Sequence, residues 1–241
     1  EDLQFFHNYI HDIGTNYTGG EPVHAVAYEL GNTEATGLLI AANCISNVGN
    51  VNNQASTSGI LVGTTSSTGT LLDLQINGNR IDGVRTKNAP AFASGGRGAY
   101  GILVNISTSA VGAVTAAKID FNSISNISGL WAHAIGLEGN TPGATVERNL
   151  ITDLHASYPT ENWAAGVKVE NNTVGNTAIT NNSFPGTAIG VNNATGVVVN
   201  ATCNWFGTTD PSQLVQAVKG PVDATPFLTS GTPTSATVPG F

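Results

Sequence analysis

The sequence predicts an all-β chain wound as a right-handed, single-stranded parallel β-helix of about six to seven coils with a short C-terminal capping helix. Three recurrences carry that prediction. The phrase Asn-x-Ile or a close variant returns as Asn8-Tyr9-Ile10, Asn43-Cys44-Ile45, Asn79-Arg80-Ile81, Asn122-Ser123-Ile124, Asn149-Leu150-Ile151 and Asn182-Ser183-Phe184, and fades at Asn204-Trp205-Phe206. Its intervals are 35, 36, 43, 27, 33 and 22 residues, so the chemistry repeats while the spacer length varies. A second phrase aligns as Ala25-Val26-Ala27-Tyr28, Gly59-Ile60-Leu61-Val62, Gly101-Ile102-Leu103-Val104, Ala134-Ile135-Gly136-Leu137, Gly166-Val167-Lys168-Val169 and Ala188-Ile189-Gly190-Val191. Its first column is always Gly or Ala, its second Val or Ile and its fourth apolar, while the third is mixed, which is the alternation of a strand with one buried face. The third recurrence places Phe5, Ile40, Ile76, Ile119, Val146 and Ile179 three residues before the repeated Asn.

Each coil therefore holds three short strands, and successive coils stack about 4.8 Å apart. The Asn side chains are expected to form a ladder at one turn, each amide bonding its neighbours above and below. Asn also tolerates the left-handed backbone that a sharp turn needs. The coils run approximately over 1–37, 38–70, 71–114, 115–144, 145–177 and 178–199, followed by a closing half-coil. The first begins abruptly, since Leu3-Gln4-Phe5 already reads as a repeat strand, and an open end of this kind predicts end-to-end self-association through the N-terminal coil or a lost preceding segment.

At the other end Asp210-Pro211-Ser212-Gln213 offers an N-cap, a Pro at the first helical position and a Gln three residues after the cap. A helix over 210–219 follows, with Leu214, Val215 and Val218 as its apolar face, and Val222 to Leu228 folding back beside it. The domain so defined is 1–228, with its C-terminal cap from about 207. Residues 229–241, rich in Ser, Thr, Pro and Gly, have the composition of a linker.

At 241 residues with 40% hydrophobic content the chain can bury a sizeable core in one elongated domain. Only 10% of its residues are charged and the net charge is −8, which argues against a nucleic-acid partner. No apolar run is long enough for a membrane span. The chain begins at Glu1 and contains no Met, which reads as a processed piece of a larger secreted protein, extracellular or on the cell surface. Cys44 and Cys203 fall in the second and seventh coils, about five coil steps apart, too far for a disulfide. Two unpaired thiols filling interior slots are expected.

The coils, followed by Cys203-Asn204-Trp205-Phe206-Gly207 and a Pro226-Phe227-Leu228 ending, resemble the right-handed, pectate-lyase-like β-helix regions of bacterial secreted and surface proteins. Those regions close with an Asn-Trp-Trp-Gly phrase and a Pro-aromatic-Leu ending, and here Phe206 stands where the second Trp would be. The resemblance covers about residues 1–228. It implies the fold and leaves the function open, because such scaffolds carry polysaccharide lyases, hydrolases, epimerases, tailspikes and non-catalytic adhesins.

Register converts the sequence into a surface map. The column after the second strand reads Glu29, Gly63, Asn105, Glu138, Glu170 and Asn192, which brings Glu138 beside Glu170 with amide oxygens nearby, a set of oxygens suited to Ca²⁺. Lys168 points outward on the same coil as Glu170. In the family's lyases a Lys or Arg removes the proton α to a uronate carboxylate while Ca²⁺ neutralises that carboxylate, so the resemblance casts Lys168, Glu138 and Glu170 in the catalytic alternative. The ordinary reading of Lys168 and Glu170, at i and i+2, is an exposed ion pair.

A second candidate lies on the loops that leave one edge of the stack. The third loop brings Arg85, Lys87 and Arg97, the fourth Trp131 and His133, and the fifth His155, Tyr158, Glu161 and Trp163. Aromatic faces beside cationic and polar groups suit sugar rings, so Trp131, His133, Tyr158, Trp163, Arg85 and Arg97 are the candidate carbohydrate contacts. The competing reading has Trp131 and Trp163 folding down to cover the edge. His24 and His133 share a column with Ser58, Tyr100, Ala165 and Thr187, three coils apart, and cannot ligate one metal. No nucleophile motif or phosphate loop is present. The leading expectation is a non-catalytic extracellular structural or adhesive segment that contacts polysaccharide or a cell-surface glycan through the aromatic loops, without a cofactor. The alternative is a Ca²⁺-dependent lyase, or a hydrolase, acting on acidic glycans.

Overall fold

Spacing of the Asn-x-Ile phrase is irregular in sequence but regular in space, because each phrase opens a strand, or at Ser183 and Trp205 a single bridge, that pairs in parallel with its counterpart in the next unit. The computed structural model describes residues 3–64, 68–87, 97–106, 112–158, 163–171 and 175–231. It is an all-β fold of several parallel sheets with a single short helix among the described residues.

The first sheet has eight strands, Gln4–Phe6, Leu39–Ala41, Gln75–Asn77, Lys118–Asp120, Thr145–Glu147, Ala178–Thr180, Val199–Asn200 and Val222–Asp223, in chain order. Its central register pairs Phe5, Ile40, Ile76, Ile119, Val146 and Ile179 in one column, as expected. A six-stranded sheet holds the Asn-x-Ile strands, including Tyr9–Ile13, Cys44–Gly49, Arg80–Arg85 and Ser123–Gly129. The seven-stranded sheet runs Val23–Glu29, Thr57–Thr64, Gly98–Ile106, Trp131–Glu138, Ala164–Glu170, Ile189–Asn193 and Val218–Lys219. A fourth, three-stranded sheet of Ala35–Thr36, Thr70–Leu72 and Ala113–Thr115 has no counterpart in the sequence prediction. Its strands are only two or three residues long, and their inward residues Leu71 and Val114 leave no periodicity to read.

The seven Asn residues form the expected ladder. Oδ1 of Asn43, Asn79, Asn122, Asn149, Asn182 and Asn204 each accepts Nδ2–H of the Asn one unit earlier at 2.9 or 3.0 Å. Each of these oxygens also accepts that earlier Asn's backbone N–H. From Asn43 onward the amide also donates across the turn to the carbonyl of the previous unit's first-sheet residue, as Asn122 does to Ile76 at 2.9 Å. The left-handed turn residue, however, is not the Asn but the residue before it. His7, Ala42, Gly78, Phe121, Arg148, Asn181 and Cys203 all have φ between 52° and 61°. The Asn is selected for its two-sided amide, which satisfies a buried turn that the backbone alone would leave unpaired. Four residues after the ladder Asn a second left-handed series, Asp12, Asn47, Gly83, Asn126 and Asp153, does carry the residue types that tolerate this conformation.

The interior is one apolar column system. Ile45, Ile81, Ile124 and Ile151 are fully buried and face the seven-stranded sheet, whose inward column must stay small. A Cβ on Gly101 would lie 2.5 Å from Ile124, and one on Gly59 would lie 2.9 Å from Ile81. Where Phe184 replaces Ile, Gly166 faces it with a Cβ position 2.5 Å from the ring, and Gly190 faces Phe206. Phe184 and Phe206 stack with centroids 5.6 Å apart. Phe184→Ala is expected to cost about 4 kcal/mol, because two facing glycines leave nothing that can collapse into the cavity. Urea unfolding of Phe184→Ala beside Phe184→Ile checks this, and a loss below about 1 kcal/mol for the Ala variant would refute it.

Two facing glycines also correct the register of the last unit. Val167 pairs with Val191 and Lys168 with Asn192, so the sixth unit is Gly190-Val191-Asn192-Asn193 and not Ala188-Ile189-Gly190-Val191. Asn192 consequently stands beside Lys168 rather than beside Glu170, and Ile189 takes the place expected for Thr187 in the column of His24 and His133.

In the cap, Asp210 accepts Ser212 N–H at 2.8 Å and Pro211–Ala217 form the helix. Leu214 and Ala217 are buried, while Val215 is 77% exposed and does not belong to the apolar face. Gln213 reaches Thr208 rather than closing a capping box. Val218–Lys219 and Val222–Asp223 leave the helix to become the last strands of the seven- and eight-stranded sheets. Both cysteines are free, but neither is interior: Cys44 lies in the outward column between Tyr9 and Arg80, and Cys203 is the left-handed turn residue before Asn204. At the N-terminal end Phe5, Ile10 and Ile13 are only partly buried, whereas Ile40, Ile45 and Val48 one unit later are buried. No helix among the described residues is long and apolar enough to cross a membrane. The described part of the expected linker ends at Gly231; the rest lies outside the described residues.

Candidate functional site

Alternation in the seven-stranded sheet sends Ile102, Ile135 and Val167 inward and leaves the intervening side chains on the outer face. On that face lies a cleft of about 620 Å³ whose walls include Trp131, Trp163, Glu138, Lys168 and Glu170. Trp131, His133 and Trp163 of the aromatic candidate set thus share a cleft with Glu138, Lys168 and Glu170 of the ionic one.

The aromatic wall is built by strand register. Trp131 stands opposite Gly98, and its indole lies where a Cβ on Gly98 would be, with Nε1 at 1.9 Å from that position. Trp131 and His133 are thus strand residues, not loop residues as expected, and Trp163 directly precedes the next strand, Ala164–Glu170. Trp131 and Trp163 lie with centroids 5.8 Å apart, and Tyr158 stacks on Trp163 at 4.6 Å and 21°. Tyr158 supports the wall without lining the cleft. Arg85 and Arg97 do not line it either. Arg85 ends a strand of the six-stranded sheet, and Arg97 lies just before Gly98. Glu161 lies outside the described residues.

Tyr100 and Lys219 are cleft residues that the sequence reading missed. Tyr100 is nearly fully buried, and its ring lies across Gly136, where a Cβ would sit 3.1 Å from it. The indole Nε1–H of Trp131 donates to the Tyr100 hydroxyl at 2.8 Å, and Tyr100 and Glu138 line the same cleft and influence one another's ionisation. Glycines next to an outward aromatic in the neighbouring strand, Gly98 and Gly136, were the signal that could have found this arrangement. Lys219 became visible only once the cap strand paired with Asn192.

Electrostatics follow from burial. Glu138 and Glu170 are register partners on adjacent strands, as expected. Burial lifts the Glu138 carboxyl above its ordinary value and the charge of Glu170 adds to that, against Tyr100 and Lys168. Burial likewise lowers the Lys168 ammonium, and Lys219 adds to the lowering while Glu170 and Glu138 oppose it. Lys168 Nζ lies 3.7 Å from Glu170 Oε2 and 3.5 Å from Asn192 Oδ1. The Lys168 side chain is 13% exposed and that of Glu170 is 44% exposed, so the pair is buried on the lysine side and open to solvent on the carboxylate side. Tyr100 is pushed well above its ordinary value, first by burial and then by Glu138.

His133 is buried between these groups, its ring edge-on to Tyr100 at 5.4 Å. Its Nδ1 has no hydrogen-bond partner. Among the described residues no group of three or more His, Cys, Asp or Glu could hold a metal ion. Glu138 and Glu170 thus supply two carboxylates for a cation without a third acidic or imidazole ligand. Compared with known proteins, the chain matches no family model, no curated protein and no solved structure.

Proposed function

We propose that this chain is an extracellular adhesive segment, wound as a right-handed parallel β-helix, that binds a polysaccharide or cell-surface glycan in the cleft of its seven-stranded sheet. Three features support the β-helix: the chain visits the sheets in turn, every ladder Asn bonds the next, and crossovers between parallel strands favour the right hand. One observation carries the ligand. Two indoles line the same cleft as half-buried carboxylate and ammonium groups and buried Asn amides. Pyranose rings present an apolar C–H face to indoles and hydroxyls to such polar groups. A rigid strand platform holds both, so little ordering entropy opposes binding.

A glycan array probed with the intact chain tests the reading. Trp131→Ala and Trp163→Ala are expected each to weaken binding about tenfold or more, with unchanged far-ultraviolet circular dichroism. Binding that survives both substitutions would overturn the assignment.

The ionic groups support a second reading, cleavage of acidic glycans. Burial pushes Lys168 toward the neutral amine that a base abstracting the α-proton of a uronate requires, and pushes Glu138 toward the acid form. Release of unsaturated products from pectic or alginate substrates, with Ca²⁺ supplied, and its loss in Lys168→Ala, would replace binding by catalysis. The expected result is no release.

A further inference from the structure

A second cleft, of about 390 Å³, opens on the same face of the seven-stranded sheet toward the N-terminal end. It shares two walls, Tyr100 and Glu138, with the aromatic cleft. The two therefore adjoin at Tyr100 and Glu138, and together their linings draw on all seven strands, from Val23–Glu29 to Val218–Lys219. At about 4.8 Å per strand step these linings extend about 29 Å along the stacking direction. That direction crosses the strands, so each step presents the equivalent side chain of the next repeat unit.

The halves differ in chemistry. The aromatic half carries Lys168 and Lys219 beside Glu138 and Glu170. The distal half has Leu61 and Leu103 as an apolar wall, Glu29, Glu138 and Asn105 as acceptors, and His24 beside Ser58. Among the described residues neither Lys nor Arg lines the distal half. His24 supplies no dependable cation, since burial lowers its imidazole below the ordinary value, against the opposing charge of Glu29. A polyanion entering there would meet Glu29 and Glu138 without a compensating charge. A hydroxylated ring would meet an apolar face and hydrogen-bond acceptors.

Resting on the glycan reading above, we propose that the distal cleft is a second subsite for the same ligand, and that it takes a neutral, hydroxyl-rich run of a linear glycan. The glycan lies along the stacking axis, and its other end occupies the aromatic cleft. The two subsites engage one chain, so each added residue that reaches the distal cleft binds at high effective concentration.

The test uses the intact chain and oligosaccharides from disaccharide to decasaccharide, in one series of 1,4-linked neutral hexoses and one of 1,4-linked hexuronates, by titration calorimetry. Neutral chains long enough to reach both clefts are expected to bind about tenfold more tightly than short ones. A variant carrying Glu29→Ala and Leu61→Ala, both on the outer face, is expected to lose that gain and to bind short chains unchanged. Affinity that is flat with length, long chains unaffected by the double variant, or a larger length gain for hexuronates than for neutral chains would each overturn the second subsite while leaving the aromatic cleft intact. Absence of binding to any member of either series would overturn the glycan reading and this inference with it.

Discussion

Replacing Asn122 by Ala is expected to destabilise the fold by about 4 kcal/mol, several times the effect of the same change at Asn8. Asn122 is fully buried at the middle of the ladder. Its Oδ1 accepts the backbone N–H of Asn79 at 2.9 Å and the Asn79 amide at 3.0 Å. Its own Nδ2 donates to Asn149 Oδ1, to the Ile76 carbonyl and to the Asp120 carbonyl. Ala removes one side chain but strands partners on both sides, and each buried polar atom left without a partner costs about 1–3 kcal/mol. Asn8 stands at the half-buried end and bonds a later unit only through Asn43, so its loss is expected to cost about 1 kcal/mol. Urea unfolding of the two variants compares them, and equal losses would show that the ladder is decoration on a core that holds without it.

His133 is expected to make the fold acid-sensitive. Burial, with the positive charge of Lys168 adding, pushes its imidazole from an ordinary 6.5 down to about 3. Below pH 6.5 the unfolded chain takes up a proton that the folded chain refuses until about pH 3, so stability is lost as pH falls through that window. The loss is on the order of 4 kcal/mol if no other group intervenes. Glu138 works in the opposite direction. Its raised carboxyl holds a proton in the folded state that the unfolded state has released, so its contribution declines as pH rises from the ordinary carboxylate value through its folded value. The comparison that isolates His133 is the pH slope of unfolding free energy in the native chain against His133→Gln and His133→Phe. Both variants are expected to flatten the slope between pH 6.5 and about pH 3, whatever their absolute stability. An unchanged slope would mean that the imidazole protonates in place.

Much of the fold was legible because β stacking repeats a local chemical demand. The Phe5 to Ile179 column, the Ile10 to Ile151 column and the ladder Asn could be aligned by eye, and they pair as aligned. The last unit escaped because Ala188-Ile189 and Gly190-Val191 both fit a small residue followed by a β-branched one. An apolar fourth position favours Val191 there, whereas the strand pairs Asn193 with Val169. Asn193 is buried there, with its amide donating to Val197 and Pro221 carbonyls, a partner set that only the folded chain supplies. The left-handed turns escaped for a related reason. Ala42, Phe121 and Arg148 are not residue types that announce positive φ, and they adopt it because the ladder beside them holds the turn.

Residue types at a fixed strand period were enough to identify the apolar columns of the first five units and the Asn residues that stack, since burial and amide pairing act on residue type. The same period also determined that Glu138 would neighbour Glu170, one register step apart. Packing in three dimensions was needed to bring Trp131 and Trp163 into one cleft with those carboxylates, to lay Tyr100 across Gly136 within reach of Trp131, and to bring Lys219 to the same cleft on a strand from the cap. Those outcomes depend on where large side chains find room beside glycines on neighbouring strands, and that room is a property of the packed surface that no single stretch of sequence contains.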